Sequence, residues 1–232
     1  MGAEEGIGSM NKFTVFDVET GGLPDREIER IAPEFDPDSV LTGNLGLEKT
    51  LEKISKAKDK HLRGIKAKAA LKAEYGRVLA IGWSDGEVTI LLSNQKDEKA
   101  LLERFWEAAD EDYHAKGDSL NWVGFNVFNF DLPFLVRRSI VNGVRVPPGL
   151  LPKNNRYWPD FFIDLMQAWQ CGDYRELISL DRFAKALGHS GKNGSGKFFS
   201  ELLMEDETAA MAYLENDLLL TRKVAEAVFR AT

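Results

Sequence analysis

Across 232 residues there is one cysteine, Cys171. The chain can therefore form no internal disulfide and no cysteine-built zinc site, which fits a reducing, cytoplasmic setting. Its three histidines, His61, His114 and His189, show no ligand-like spacing. No apolar run approaches the ~18 residues of a membrane span. The opening MGAEEGIGSM also lacks the basic start and apolar run of a signal peptide. The sequence thus predicts a protein that is neither exported nor membrane-spanning. Residues 1–10 are expected to be either a flexible terminus or an upstream extension of a chain that begins at Met10. Positive charge is short as well, with 30 Lys and Arg against 37 Asp and Glu, a net charge of −7. Bulk electrostatic coating of nucleic acid is disfavoured by that balance, but grip on a short strand through divalent metals is not excluded.

What is present suits one sizeable core, with 44% hydrophobic and 29% charged residues. Residues 13–19 read as a buried strand, and residues 20–46, with three Pro and four Gly, as irregular connection. Residues 47–75 form a Lys-rich helical stretch, nine Lys or Arg against four acids, an excess of +5. RVLAIGWS (77–84) and EVTILLS (87–93) flank Asp85-Gly86, a hairpin signal, so they should pair antiparallel. Residues 97–110 have the spacing of an amphipathic helix, and residues 120–126 return to strand character. A helix is expected from Leu132 to about Asn142. PDFFIDLMQAW (159–169) reads as a short strand or helix start, and SLDRFAKALG (179–188) as a helix closed by Gly188. A long helix follows from about Asp206 to Arg230. The order predicts an α/β protein with a mixed central sheet.

Three acidic segments stand out. In FDVETGG, Asp17 and Glu19 are at i and i+2 of a strand and share a face at its carboxyl end. Open α/β sheets place ligands beyond that end. Two adjacent carboxylates repel unless a cation neutralises them, and Mg²⁺ or Mn²⁺ prefers such oxygen ligands. Taken alone, the pair also fits a strand that ends in solvent. In VGFNVFNFDLPFL (123–135), Asp131 opens a helix with Pro133 just inside it, a pattern that fits a capping residue equally well. In the last helix, Leu214, Leu218, Val224, Ala225 and Val228 form one stripe, with Glu215, Arg222, Lys223 and Glu226 opposite. Asp217 falls inside the apolar stripe with Tyr213 at its edge, and an inward carboxylate is costly unless paired or metal-bound.

FDVET, NVFNFD and YLEND together resemble the three motifs of the DEDD superfamily of 3′-to-5′ exonucleases, in the subgroup (DEDDy) whose third motif is Tyr-x-x-x-Asp. GFNVFNFDLPFL is similar to the second motif of the proofreading domain of family B DNA polymerases and its stand-alone relatives. The resemblance implies an RNase H-like fold, with residues 11–232 forming one exonuclease domain that carries a Lys-rich insertion at about 25–75. It implies that Asp17, Glu19 and Asp217 bind one metal ion, that Asp17 bridges to a second, and that Asp131 supports the second through water. The two ions, Mg²⁺ or Mn²⁺, would sit about 3.5–4 Å apart. Tyr213 stands where sister subgroups carry His; with an unperturbed pKa of about 10 it should orient water more than deprotonate it. The resemblance also points to Asn126 and Phe130 as contacts for the terminal nucleotide and to Leu23 as a wedge against the last base. The expected activity is release of nucleoside 5′-monophosphates from the 3′ end of single-stranded DNA. RNA is the alternative substrate, a polymerase or repair complex a candidate partner, and a catalytically silent binding module the rival reading.

GKNGSGKF (191–198) has the G-x-x-x-x-G-K spacing of a phosphate-binding loop, but Phe198 stands where Ser or Thr would hold Mg²⁺ and the segment follows a helix. It reads as a flexible loop, with Lys192 and Lys197 as candidate phosphate contacts. The Lys-rich stretch fits either a strand-tracking surface or a solvated helical face. Asp164 and Asp181 are additional acids, Asp181 read as a helix cap.

Overall fold

Apolar residues on both faces of Phe13–Gly22 leave that segment, β1, no solvated side, so it must be a central strand. The computed structural model, which describes residues 12–93, 97–115, 120–153, 157–191, 194 and 196–231, puts it there. The five-stranded sheet has the order β3-β2-β1-β4-β5, with β2 Gly76–Ser84, β3 Thr89–Ser93, β4 Asn121–Gly124 and β5 Phe162–Asp164. β4 runs parallel to both β1 and β5, whereas β2 and β3 pair antiparallel across the Asp85-Gly86 turn. The sheet is mixed, as the sequence predicts. The N-terminal stretch 1–10, expected to be flexible or an extension, lies outside the described residues.

The helices are α1 Asp25–Ile31, α2 Leu47–Lys66, α3 Glu98–His114, α4 Asp131–Asn142, α5 Leu165–Gln170, α6 Leu180–Ala186, α7 Phe199–Glu205 and α8 Glu207–Ala231. Contacts divide the chain into two compact units, Met1–Glu19 with Val78–Thr232, and Thr20–Arg77. In the second unit the sequence is corrected: the supposed irregular stretch 20–46 contains the end of β1 and helix α1. DREIERI buries only Ile28, too little apolar periodicity to register as a helix in the sequence. At the unit's surface Lys66 bridges Asp25 and Glu29 at 2.6 and 2.7 Å.

In the first unit the alternation of β1 separates two cores. Phe13 and Val15 share a cluster with Leu165, Leu180, Phe183, Leu218 and Val224. Phe16 points the other way, its ring 5.8 Å from Phe105, 5.7 Å from Trp122 and 6.0 Å from Phe162. Burial of each such side chain stabilises by roughly 1.5–3 kcal/mol.

Two features fix the helices that carry the site. Arg138 of α4 forms a buried ion pair with Glu98 of α3 at 2.6 Å, and the same carboxylate accepts from the Val78 amide and from Asn142. Breaking one partner of such a pair costs about 3–5 kcal/mol, so α4 is held firmly in register. Helix α8 crosses close over β2 at Gly82, where a Cβ would stand 2.8 Å from Leu218 Cδ1 and 3.2 Å from Leu214 Cγ. Any side chain there would force these leucines to shift. Arg222 is corrected too: instead of standing with the solvated residues of α8 it is half-buried, donating to the carbonyls of Phe13 (3.1 Å) and Ser84 (2.7 Å), with its guanidinium over the Phe13 ring. A long side chain can bend back from a polar direction to reach unpaired carbonyls. Gly82→Ala is expected to lift α8 locally and destabilise the protein by about 1–3 kcal/mol, measured as a lowered urea midpoint at unchanged m-value.

Candidate active site

The ladder between β1 and β4 pairs Phe13 with Asn121, Thr14 with Trp122 and Val15 with Val123. β4 ends at Gly124, so Asp17 and Glu19 lie past the carboxyl end of the parallel strands although β1 itself continues to Gly22. The two acids share the face of Phe13 and Val15, the face that packs on α8. There they meet Asp217. One carboxylate oxygen from each of Asp17, Glu19 and Asp217 lies within 4.8 Å of the others. Asp217 is 0% exposed and Glu19 8% exposed, while Asp17 is partly open. Asp217 is flanked by the buried Leu214, Leu218 and Val224, which is where the wheel places it.

A second wall comes from the turn after β4. Asn126 has φ 62°, a left-handed conformation that Asn tolerates better than most residues and that ends the strand two residues before the sequence predicts. Asp164, 3% exposed, holds this turn: its carboxylate accepts from the amides of Asn126 (2.7 Å), Phe128 (3.0 Å) and, as the cap of α5, Met166 (2.9 Å). Burial pushes the Asp164 carboxyl above its usual range, against these backbone donors, which favour the ionised form. The sequence marks Asp164 only as an extra acid; its position at a strand end just before an apolar helix start was the available signal.

Asp131 is corrected as well. It is the first residue of α4, with Phe130 in the capping position and no side-chain cap, so the capping reading does not hold. It is 5% exposed, and an acid in the first turn is favoured by the helix dipole. Phe130 packs on Phe134 at 5.5 Å.

A cleft of about 500 Å³ gathers Asp17, Glu19, Asn126, Phe130, Asp131 and Tyr213 in its lining. Tyr213 and Asp217 are one turn apart on α8, hence on one face. Asp181 also lines the cleft, but Ser179, not Asp181, caps α6; Asp181 pairs with Lys185 at 2.8 Å. Gly194 and Gly196 of the Gly- and Lys-rich segment close one side. A Cβ at Gly196 would stand 3.2 Å from Glu19 Oε2 and 3.6 Å from the Tyr213 hydroxyl, so this glycine lies close against Glu19 and Tyr213. Residues 196–198 are a short 3-10 turn leading into α7, with Lys197 Nζ 5.6 Å from the Phe198 ring, and Lys192 lies outside the described residues. Leu23 belongs to the Thr20–Arg77 unit, where its amide donates to the Tyr75 carbonyl, and is not among the lining residues.

Three carboxylates from two elements, all oxygen donors and mostly withdrawn from water, fit a hard divalent cation such as Mg²⁺ or Mn²⁺ and not a thiolate-seeking metal. Mg²⁺ or Mn²⁺ at a hundred times its dissociation constant is expected to stabilise the protein by about 2.7 kcal/mol. The rise in thermal midpoint should vanish in Asp217→Ala. Asp164→Ala orphans three amides and is expected to cost about 2–4 kcal/mol, read by the same melting experiment.

Among known proteins, a family described as predicted 3′-5′ exonucleases related to the exonuclease domain of PolB matches residues 71–224. The match takes in Asp131, Tyr213 and Asp217 and begins after Asp17 and Glu19. No curated protein matches. The family B DNA polymerase of the hyperthermophilic archaeon Pyrobaculum calidifontis is similar in structure, with a TM-score of 0.56 and 18% identity over 97% of this chain. This chain spans 25% of that polymerase's length. At that identity the likeness speaks to fold, and the mixed five-stranded sheet flanked by helices is an RNase H-like fold. With two thirds of its length matched, including the second and third acidic motifs, the chain belongs to the family of predicted 3′-5′ exonucleases related to the exonuclease domain of PolB.

Proposed function

We propose that the protein hydrolyses the terminal phosphodiester at the 3′ end of single-stranded DNA and releases nucleoside 5′-monophosphates. The observation that carries this reading is the convergence of Asp17, Glu19 and Asp217 within 4.8 Å in a chain of this family. Asp17, Glu19 and Asp217 would hold one divalent cation, and Asp17 with Asp131 a second, in the DEDDy manner. Bound Mg²⁺ or Mn²⁺ would supply an activated water and neutralise charge on the leaving oxygen.

The chain's own residues divide the remaining work. Tyr213, half-buried beside Glu19 and Asp217, is suited to orienting the attacking water through its hydroxyl. Orientation of the water, not its deprotonation, is the role proposed for this phenol, because phenols in general hold their proton at neutral pH. Asn126 and Phe130 are proposed to receive the terminal nucleotide, the Phe130 ring offering a stacking face and Asn126 a polar edge, both held by the turn that Asp164 fastens. Leu23 is kept as a candidate wedge on the motif resemblance alone. The nucleic acid is taken to be DNA because of the relationship to a polymerase exonuclease domain.

The test is digestion of 3′- and 5′-labelled single-stranded DNA, duplex DNA and RNA with Mg²⁺ and with Mn²⁺. Mononucleotides should appear from the 3′ end of single-stranded DNA first. Asp17→Ala and Asp217→Ala should abolish release while the circular dichroism spectrum is unchanged, and full activity in either variant overturns the assignment. Tyr213→Phe should lower the rate by about 10–100-fold with the metal-dependent rise in thermal midpoint retained. An unchanged rate would remove Tyr213 from the mechanism.

A further inference from the structure

Helix α2 lies in the Thr20–Arg77 unit and outside the family match. Lys49, Lys53, Lys56, Lys60 and Arg63 are spaced 4, 3, 4 and 3 residues apart along it. On a helix that advances about 100° per residue, these five fall within about 80° of one another. They form a row about 21 Å long at 1.5 Å per residue. All five are exposed.

The opposite face is mainly apolar, with Lys58 among its aliphatic residues; there Ile54, Leu62 and Ile65 are half-buried within the unit, while Leu47 and Leu51 are exposed. Lys66, off the row, is the cation used for structure, through Asp25 and Glu29. Among the described residues none of Lys49, Lys53, Lys60 and Arg63 forms an ion pair. Lys56 has only an exposed one with Glu52 at 2.6 Å, the kind worth little in water. Lys53 donates to the Leu41 carbonyl and Arg63 to the Asp59 carbonyl, both at the exposed surface, and nothing in the packing of the unit calls for the other three. A helix destined for a bilayer surface would turn its apolar face to the lipid, but here part of that face is committed to the unit's own interior. The row is left to meet a polyanion, in a chain whose net charge is −7.

We infer that the outward face of α2 binds the phosphate backbone of single-stranded nucleic acid, independently of base sequence and of the metal site. Contacts of this kind track a strand electrostatically and release counterions. Because the unit is covalently joined to the cleft-bearing unit, the second contact would raise the effective concentration of a long strand and leave a short one unaffected. The biological use of this surface rests on the proposed nuclease activity, whereas the binding itself does not.

The experiment compares the full chain with a variant carrying Lys49→Gln, Lys53→Gln, Lys56→Gln, Lys60→Gln and Arg63→Gln. Glutamine keeps helix propensity and adds no repulsion against Glu48, Glu52 and Asp59. A control neutralises five exposed cations elsewhere, Lys99, Arg104, Arg137, Lys223 and Arg230, for the same change in net charge. Anisotropy of a labelled 30-nucleotide oligo(dT) is measured in EDTA from 50 to 200 mM KCl, alongside sedimentation with phosphatidylserine vesicles. Five single-strand contacts at a slope of about 0.7 each predict a roughly hundredfold loss of affinity over that range for the unaltered chain. The α2 variant should bind at least tenfold more weakly at 50 mM with a flatter slope, and the control should bind like the unaltered chain. Equal affinity and slope in the α2 variant overturns the inference, as does an equal loss in the control. Loss of vesicle binding with oligonucleotide binding intact overturns it in favour of a lipid surface. Hydrolysis of a dinucleotide in Mg²⁺ is followed in parallel and should be the same for the unaltered chain and the α2 variant. If the dinucleotide is never cut while α2 still governs binding, the nuclease reading fails and the surface stands.

Discussion

Strand β1 is buried on both faces between β2 and β4, and the direction in which Asp17 and Glu19 point follows from that constraint. Because Phe13 and Val15 face the α8 side while Phe16 meets the aromatic cluster of Phe105, Trp122 and Phe162, the period of two leaves Asp17 and Glu19 only one direction. That direction leads to α8, whose close passage over Gly82 brings Asp217 within reach. A slip of one residue in β1 would turn both acids into the aromatic core, where no carboxylate could be accommodated. The apolar packing of the strand is thus also what aims its charges.

The buried acids of the first unit fall into two kinds. Glu98 and Asp164 are satisfied by the protein itself, Glu98 by Arg138 and the Val78 amide, Asp164 by three backbone amides. They hold α4 and the Asn126 turn in place. Asp17, Glu19 and Asp217 converge, one oxygen of each within 4.8 Å of the others, an arrangement of like charges that a divalent cation relieves. The first kind supports the second: Glu98 fixes the helix that begins at Asp131, and Asp164 fixes the turn that presents Asn126 and Phe130. The left-handed Asn126 is a small strain held by its surroundings at the edge of a cleft, where such strain tends to gather.

Charge is also divided along the chain. The acids of the cleft belong to one unit, and the row of cations on α2 belongs to the other. Net charge alone conceals this, because a total of −7 averages an acidic body with a stretch of +5. For the polyanionic substrate proposed above the two features would be complementary, one meeting phosphate through cations held by carboxylates and the other directly through Lys and Arg.

The elements of the fold with strong periodicity were legible in the sequence: the β2–β3 hairpin with its Asp-Gly turn, α3 opened by Asp97, and α8 with Asp217 on its apolar stripe. The i, i+2 spacing of Asp17 and Glu19 and the i, i+4 spacing of Tyr213 and Asp217 likewise report shared faces before any tertiary structure is known. Helix α1 was not legible, since one buried residue leaves too faint a pattern, nor was the inward turn of Arg222, whose long side chain ignores the direction its Cβ gives it. The exchange of roles between Asp131 and Phe130 at the start of α4, and between Ser179 and Asp181 at the start of α6, depended on backbone angles that residue preference does not fix. The sequence by itself determined which residues are apolar on which face, and hence a central β1 with two acids on one side and an acid inside α8. Only the tertiary structure decided that these acids come within 4.8 Å, that Asp164 fastens the opposite wall and that Gly196 lies against Glu19, because each is a contact between segments far apart in the chain whose distance is set by packing.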